Sequence, residues 1–210
     1  MKKINRAIGA LVAAAALVVL PATAAHADEY SAEVSWPNNG GGAGSMEIKW
    51  PDWVHTKLTD LAASSPYGFC YTAQLSDVGW DGNVSCVNGD TNAQGIIGQP
   101  GHRIEAIAFA PGGKVADMCM QAHVQNIGWQ YGNCAPGGGY SAVGTVGKAL
   151  QMEDLAVWVS GLDFNASAAL TDGEGIPAST CDGLYGPDTL RIGTTGEDIG
   201  LVQLFMAAGC

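Results

Sequence analysis

Apolar and polar positions along this chain repeat at a long period as well as at a short one. Leu75-Ser76-Asp77-Val78-Gly79-Trp80 and Val124-Gln125-Asn126-Ile127-Gly128-Trp129 lie 49 residues apart, and so do Cys70 and Cys119. A Gly-x-x-Gly form stands at Gly95–Gly98, Gly144–Gly147 and Gly193–Gly196, again 49 apart on both steps, and each is followed by an apolar run: Arg103–Phe109, Gln151–Trp158 and Leu201–Met206. Enrichment in β-branched and aromatic residues, alternation within the runs, and Gly or Asn at the junctions predict strand, turn, strand, Gly-rich turn, strand in each copy. So small a sheet cannot bury both of its faces alone, so three copies are expected to close around a shared core. The expectation is an all-β, pseudo-threefold domain over residues 70–210, of β-prism or β-trefoil type; the pattern does not separate the two.

The third copy is degenerate. Carried forward by 49 residues, Ala178 falls where Trp80 and Trp129 stand, Ala168 falls where the cysteines Cys70 and Cys119 stand, and Asp172 where His123 stands. Residues 28–69 lie outside the repeat. Ala32–Trp36 and Met46–Trp50 read as two strands joined by a Gly-rich loop. The stretch from Asp52 to Ala63 then places Val54, Leu58 and Leu61 on one helical face, with Asp52 as N-cap. Its expected role is to cover one edge or end of the β-domain.

Residues 1–27 have the layout of a secretory signal: Lys2, Lys3 and Arg6, an apolar run, then Ala25-His26-Ala27, which predicts a mature chain beginning at Asp28. Past that point 6 basic residues face 20 acidic ones, a net charge of −14. That balance excludes phosphate neutralisation of nucleic acid and argues against adhesion to anionic lipid, and no other run is long and apolar enough to insert in a membrane. The expected location is therefore extracellular, with cell-surface association open. Six cysteines in an exported chain are expected to be disulfides, and six allow fifteen pairings. The repeat selects one. Cys70 and Cys86 are 16 apart in the first copy, and Cys119 and Cys134 are 15 apart in the second, so equivalent bridges are expected within each copy. Cys181, aligned with Cys86 and Cys134, is then left to Cys210.

His123–Gln130, followed by Gly144–Gly147 and Gln151–Leu155, resembles the clostridial hydrophobic repeat with a conserved tryptophan, the ChW repeat. The first copy matches in Asp77–Trp80 and Arg103–Ile107, and the third only in Ile192–Gly196. The resemblance implies a secreted or surface-attached protein of a Gram-positive bacterium. It also implies binding to a polysaccharide or to a surface protein, without catalysis.

Candidate chemistry centres on Trp80 and Trp129, since an exposed indole stacks on the C–H face of a sugar and donates its N–H. The alternative is that each fills the core of its unit. Tyr131, Asp81, Asn83, Gln125, Asn126 and His123 flank them and could contact sugar hydroxyls, or could simply serve turns and strand faces. Catalytic patterns fail. Gly139–Gly144 is one residue too long for a nucleophile elbow, Gly147-Lys148 lacks the rest of a phosphate loop, and the histidines show no zinc spacing. No metal and no cofactor are expected. The reading is a secreted non-enzymatic binding module, with a protein-interaction or structural envelope role as the alternative and a small hydrolase as a third.

Overall fold

The computed structural model describes residues 48, 50–88, 95–182 and 189–209. They form one helix, α1 (Asp52–Ala63), and fourteen strands: β1 (Phe69–Leu75), β2 (Gly79–Trp80), β3 (Ser85–Val87), β4 (Gly95–Gly98), β5 (Ile104–Pro111), β6 (Asp117–Val124), β7 (Gly128–Trp129), β8 (Asn133–Pro136), β9 (Ser141–Gly144), β10 (Met152–Val159), β11 (Phe164–Leu170), β12 (Gly175–Ser179), β13 (Thr189–Gly193) and β14 (Leu201–Ala208). The all-β expectation holds, and the helix falls on the residues the pattern assigns to it. The expected strands at 32–36 and 46–50 lie outside the described residues except for Ile48 and Trp50, which are in no strand. Cys210, and with it the expected Cys181–Cys210 bridge, also lies outside them.

Three antiparallel sheets result, one per copy. The first joins β1 to β5, with β2 and β3 on the far side of β1; the second joins β6 to β10, with β7 and β8 beside β6; the third joins β11 to β14, with β12 beside β11. Each copy gives one strand away. β9 of the second copy pairs with β5, β13 of the third pairs with β10, and β4 of the first pairs with β14. The exchange is cyclic, so each sheet has one edge covered by a strand from the next copy. Three separate sheets around one core make a prism rather than a trefoil barrel. The inner faces meet in a cluster that includes Tyr71, Phe109, Met120, Leu155, Phe164 and Leu204. Phe69 and Phe164 meet edge-on across two sheets at 5.7 Å.

Ladder register corrects the expected equivalences in the third copy. Trp80 pairs with Gln74 and Trp129 with His123, and the matching pair in the third copy is Gly175 with Ala169. The tryptophan position is thus held by Gly175, not Ala178, and the His123 position by Ala169, not Asp172. Likewise Cys70–Cys86 and Cys119–Cys134 correspond to Asn165–Ser179, so neither Ala168 nor Cys181 occupies a repeat cysteine position. The cause is a length change in a loop. Trp80 to Gly98 and Gly175 to Gly193 each span 18 positions, but Trp129 to Gly144 spans only 15. Exposed turns accept such a change, whereas strand register cannot, because a slip of one residue would turn every side chain to the wrong face.

The same shift moves the first glycine turn. Gly98, Gly144 and Gly193, not Gly95, are equivalent, each ending a donated strand with φ of 88°, 101° and 136°. A Cβ there would lie 2.2–2.3 Å from the carbonyl oxygen of Val202, Glu105 or Glu153 respectively. Each of those three residues sits at an irregularity in the ladder of the long strand. Glycine is required because the donated strand passes hard against this bulge.

Helix α1 lies on the outer face of the first sheet rather than at an edge or end. Its buried residues are Val54, Leu58 and Ala62, and Pro51 rather than Asp52 is the N-cap, with Asp52 in the first turn. The seat is made of small side chains: Ala108, Ala110 and Ala142 with Cys70. At the places of Ala106, Ala108 and Ala142 the second sheet has Asp154, Ala156 and Arg191, and the third has Gln203, Phe205 and Ile96. A helix packs closely only where side chains are short, so the described helix sits on the first face and not on the other two.

Candidate functional site

Both cysteine pairs expected from the repeat are disulfides, Cys70–Cys86 and Cys119–Cys134, each tying a central strand to its neighbour. They fix the hairpins that carry the two tryptophans. In each hairpin a left-handed Asp77 or Asn126 (φ 64° and 63°) and a glycine with φ 90° or 83° form the turn. The β-branched residue between them, Val78 or Ile127, is exposed. Asn126 is therefore a turn former.

The two tryptophans then meet different surroundings. Trp80 is half-buried in the cluster beneath α1 and packs on Trp50 at 5.8 Å. Trp50 in turn meets Tyr140 at 5.5 Å, Tyr140 meets His55 of the helix at 4.2 Å, and Lys57 donates to the Gly82 carbonyl. Asp81 is buried. Its Oδ1 accepts the Asn83 backbone N–H at 3.0 Å, and the Thr72 hydroxyl donates to the carbonyls of Asp81 and Asn83 at 3.1 and 2.7 Å. Asp81 and Asn83 thus hold the hairpin that carries Trp80.

On the second sheet no helix among the described residues lies over Trp129. The Arg191 guanidinium stands over its ring, 4.7 Å from the centroid, and His123 meets it edge-on at 5.4 Å. Arg191 donates through Nε and Nη2 to Asp154 Oδ2, at 2.8 and 2.6 Å. Glu153 Oε2 is 3.0 Å from His123 Nδ1. Asp154 is wholly buried, and burial pushes its carboxyl above the ordinary range against the hydrogen bonds and charge of Arg191. Gln125 donates to Asp198 of the third copy's turn, which also accepts from Gln151 at 3.1 Å. Tyr131, two residues past Trp129, is 56 % exposed.

One expectation about the indoles is corrected. Nε1 of Trp80 and of Trp129 are both buried, with no acceptor among the described residues. Whatever part of either side chain reaches solvent is carbon, available for stacking and not for donating a hydrogen bond. Of the aromatic candidates, Trp129 and Tyr131 are thus the two that no described helix covers.

Arg191 and Asp154 were missed in the sequence. Their signal was charge inside two apolar strands, Arg191 in Thr189–Gly193 and the Glu153-Asp154 pair in Met152–Val159. What makes them a pair is that β13 is donated by the third copy, which local pattern does not reveal.

Residues 123–161 match the family model described as Clostridial hydrophobic W, ChW. The match runs from His123 through β10, so the second copy, with Trp129, is a ChW repeat. No curated protein and no solved structure matches the chain.

Proposed function

We propose, for a chain whose second copy is a ChW repeat, that it is a secreted, non-enzymatic binding module. Its ligand is a glycan or cell-wall polymer, and its ligand-facing surface is the outer face of the second sheet. A single observation carries this reading: of two equivalent tryptophans, Trp80 is under a helix and Trp129 is not, and Tyr131 stands exposed beside Trp129. The two rings supply apolar planes for the C–H faces of successive sugars. His123, Glu153, Asp154 and Arg191 are engaged with one another and with the indole, which suits holding a ring in place better than general acid–base chemistry. Location outside the cell and a Gram-positive source belong to the same proposal; the first is supported by the signal-like residues 1–27 and the second by the ChW match.

Retention on insoluble polysaccharide and on peptidoglycan tests it. Trp129→Ala and Tyr131→Ala, in proteins whose circular dichroism is unchanged, are expected to weaken retention about tenfold or more, that is about 1.4 kcal/mol. Trp80→Ala is expected to act through stability instead, costing roughly 3 kcal/mol and loosening α1. Full retention by a folded W129A/Y131A variant would remove this face from the site.

The exposed hairpin residues Val78 and Ile127 favour the second reading, a protein partner in the envelope. The same variants separate the two, since a protein partner gripped by the hairpins would be lost in V78S/I127S while polysaccharide retention stayed.

A further inference from the structure

The third sheet presents an outer face built from the equivalent strands, without a tryptophan at the position of Trp80 and Trp129. Gly175 holds the place of Trp80 and Trp129, and its partner Ala169 holds the place of Gln74 and His123. The missing volume is a groove of about 380 Å³, bounded by Ile96, Ala169, Gly175, Pro177, Gln203 and Phe205. None of its lining residues is charged, Ile96 is 56 % exposed, and Ser167 and Gln203 are its polar side chains. This face lies on a different sheet from Trp129 and Tyr131.

What fills the equivalent space in this molecule is known twice over. On the first sheet an indole occupies it, and a polypeptide segment from outside the repeat covers it, Trp50 packing at a tilt against Trp80 and α1 lying on the alanines. On the second sheet an indole occupies it again, with the buried Arg191 guanidinium against its ring. We infer that the third face is a docking groove for a partner polypeptide, which inserts an aromatic side chain where Gly175 leaves the indole position unfilled by any described residue. A sugar chain suits the groove less well, because only Ser167 and Gln203 offer it hydrogen bonds and its hydroxyls would lie against Ile96, Pro177 and Phe205. An aromatic side chain makes the better occupant, since it buries a large apolar area with few polar requirements.

Residue 175 allows a direct test. A Cβ there meets nothing nearer than the Ala168 carbonyl oxygen at 3.9 Å, and Gly175 is not among the glycines with positive φ. Gly175→Trp is therefore expected to fold and to rebuild the indole of the other copies. The probe is N-acetyl-tryptophanamide, titrated into the full secreted chain and followed by amide and methyl chemical shifts. Saturable shifts at Ile96, Ala169 and Phe205 are expected, with at least a tenfold loss in G175W and a smaller loss in I96S, and no change in W129A. The inference is overturned if those signals do not move, if they move equally in G175W, or if a soluble oligosaccharide moves them and the probe does not. Self-association that G175W abolishes, measured by sedimentation, would also overturn it by making a second copy the occupant.

Discussion

The Tyr71 phenol and the Met206 backbone, 135 residues apart, are joined inside the core: the Met206 N–H donates to the Tyr71 oxygen at 2.9 Å. The same hydroxyl donates to the Gly95 carbonyl at 2.8 Å. Since Gly95 and Met206 are the last register partners of β4 and β14, Tyr71 extends that ladder from another sheet. One side chain thus ties the first copy's central strand to the strand the first copy gives to the third.

Tyr71→Phe is expected to cost about 1–3 kcal/mol, because it leaves the buried Met206 N–H and the part-buried Gly95 carbonyl without this partner. Urea melts of wild type and variant measure it. The pH dependence has a definite sign. Burial raises the Tyr71 hydroxyl well above its ordinary value of 10.0, so folding favours the protonated phenol. Its contribution is fully present below pH 10 and is lost as pH rises beyond it, as the unfolded chain releases the proton first. Y71F should show a shallower loss of stability above pH 10 than wild type.

The buried Asp154–Arg191 pair gives an unequal response to single and double substitution. Asp154→Asn alone should destabilise by roughly 3–5 kcal/mol, because it removes the carboxylate charge that balances a buried guanidinium. D154Q/R191I, which installs the residues that the third sheet carries at the same places, should lie within about 1 kcal/mol of wild type or above it. If the double variant were as unstable as the single one, the pair would be doing more than balancing its own burial.

Glycine substitutions should sort by what stands opposite. Gly193→Ala must accept a φ of 136° and a Cβ 2.3 Å from the Glu153 carbonyl oxygen, with an expected loss of about 3 kcal/mol or more. Gly196→Ala, at φ 73° with nothing within 4 Å, should lose only about 1–2 kcal/mol. Thermal melts of the pair, with Gly98→Ala and Gly144→Ala alongside, check whether all three bulge contacts are equivalent.

The two disulfides close loops of similar length and should each contribute about 3 kcal/mol. Their reduction rates should nevertheless differ. Cys70 is wholly buried under α1, whereas Cys134 is exposed. Under mild reductant, alkylation and peptide mapping should find Cys119 and Cys134 labelled first; prior labelling of Cys70 and Cys86 would contradict the covering by α1.

The sequence alone determined the strands, the helix at 52–63, the threefold repetition and the two within-copy disulfides. These depend on local periodicity and on equal spacing of equal residues, and both are visible along a single chain. Even there it misplaced Gly95, Ala168, Ala178 and Cys181, because a three-residue loop change leaves a glycine pattern that matches in two registers. Only the tertiary structure decided which outer face is covered and what each tryptophan touches. Ala142, Arg191 and Ile96 reach their faces on strands given by a neighbouring copy, so the small seat for α1, the guanidinium over Trp129 and the rim of the empty groove are each built from two copies. Strand pairing between distant segments creates those surfaces, and residue order carries no local trace of it.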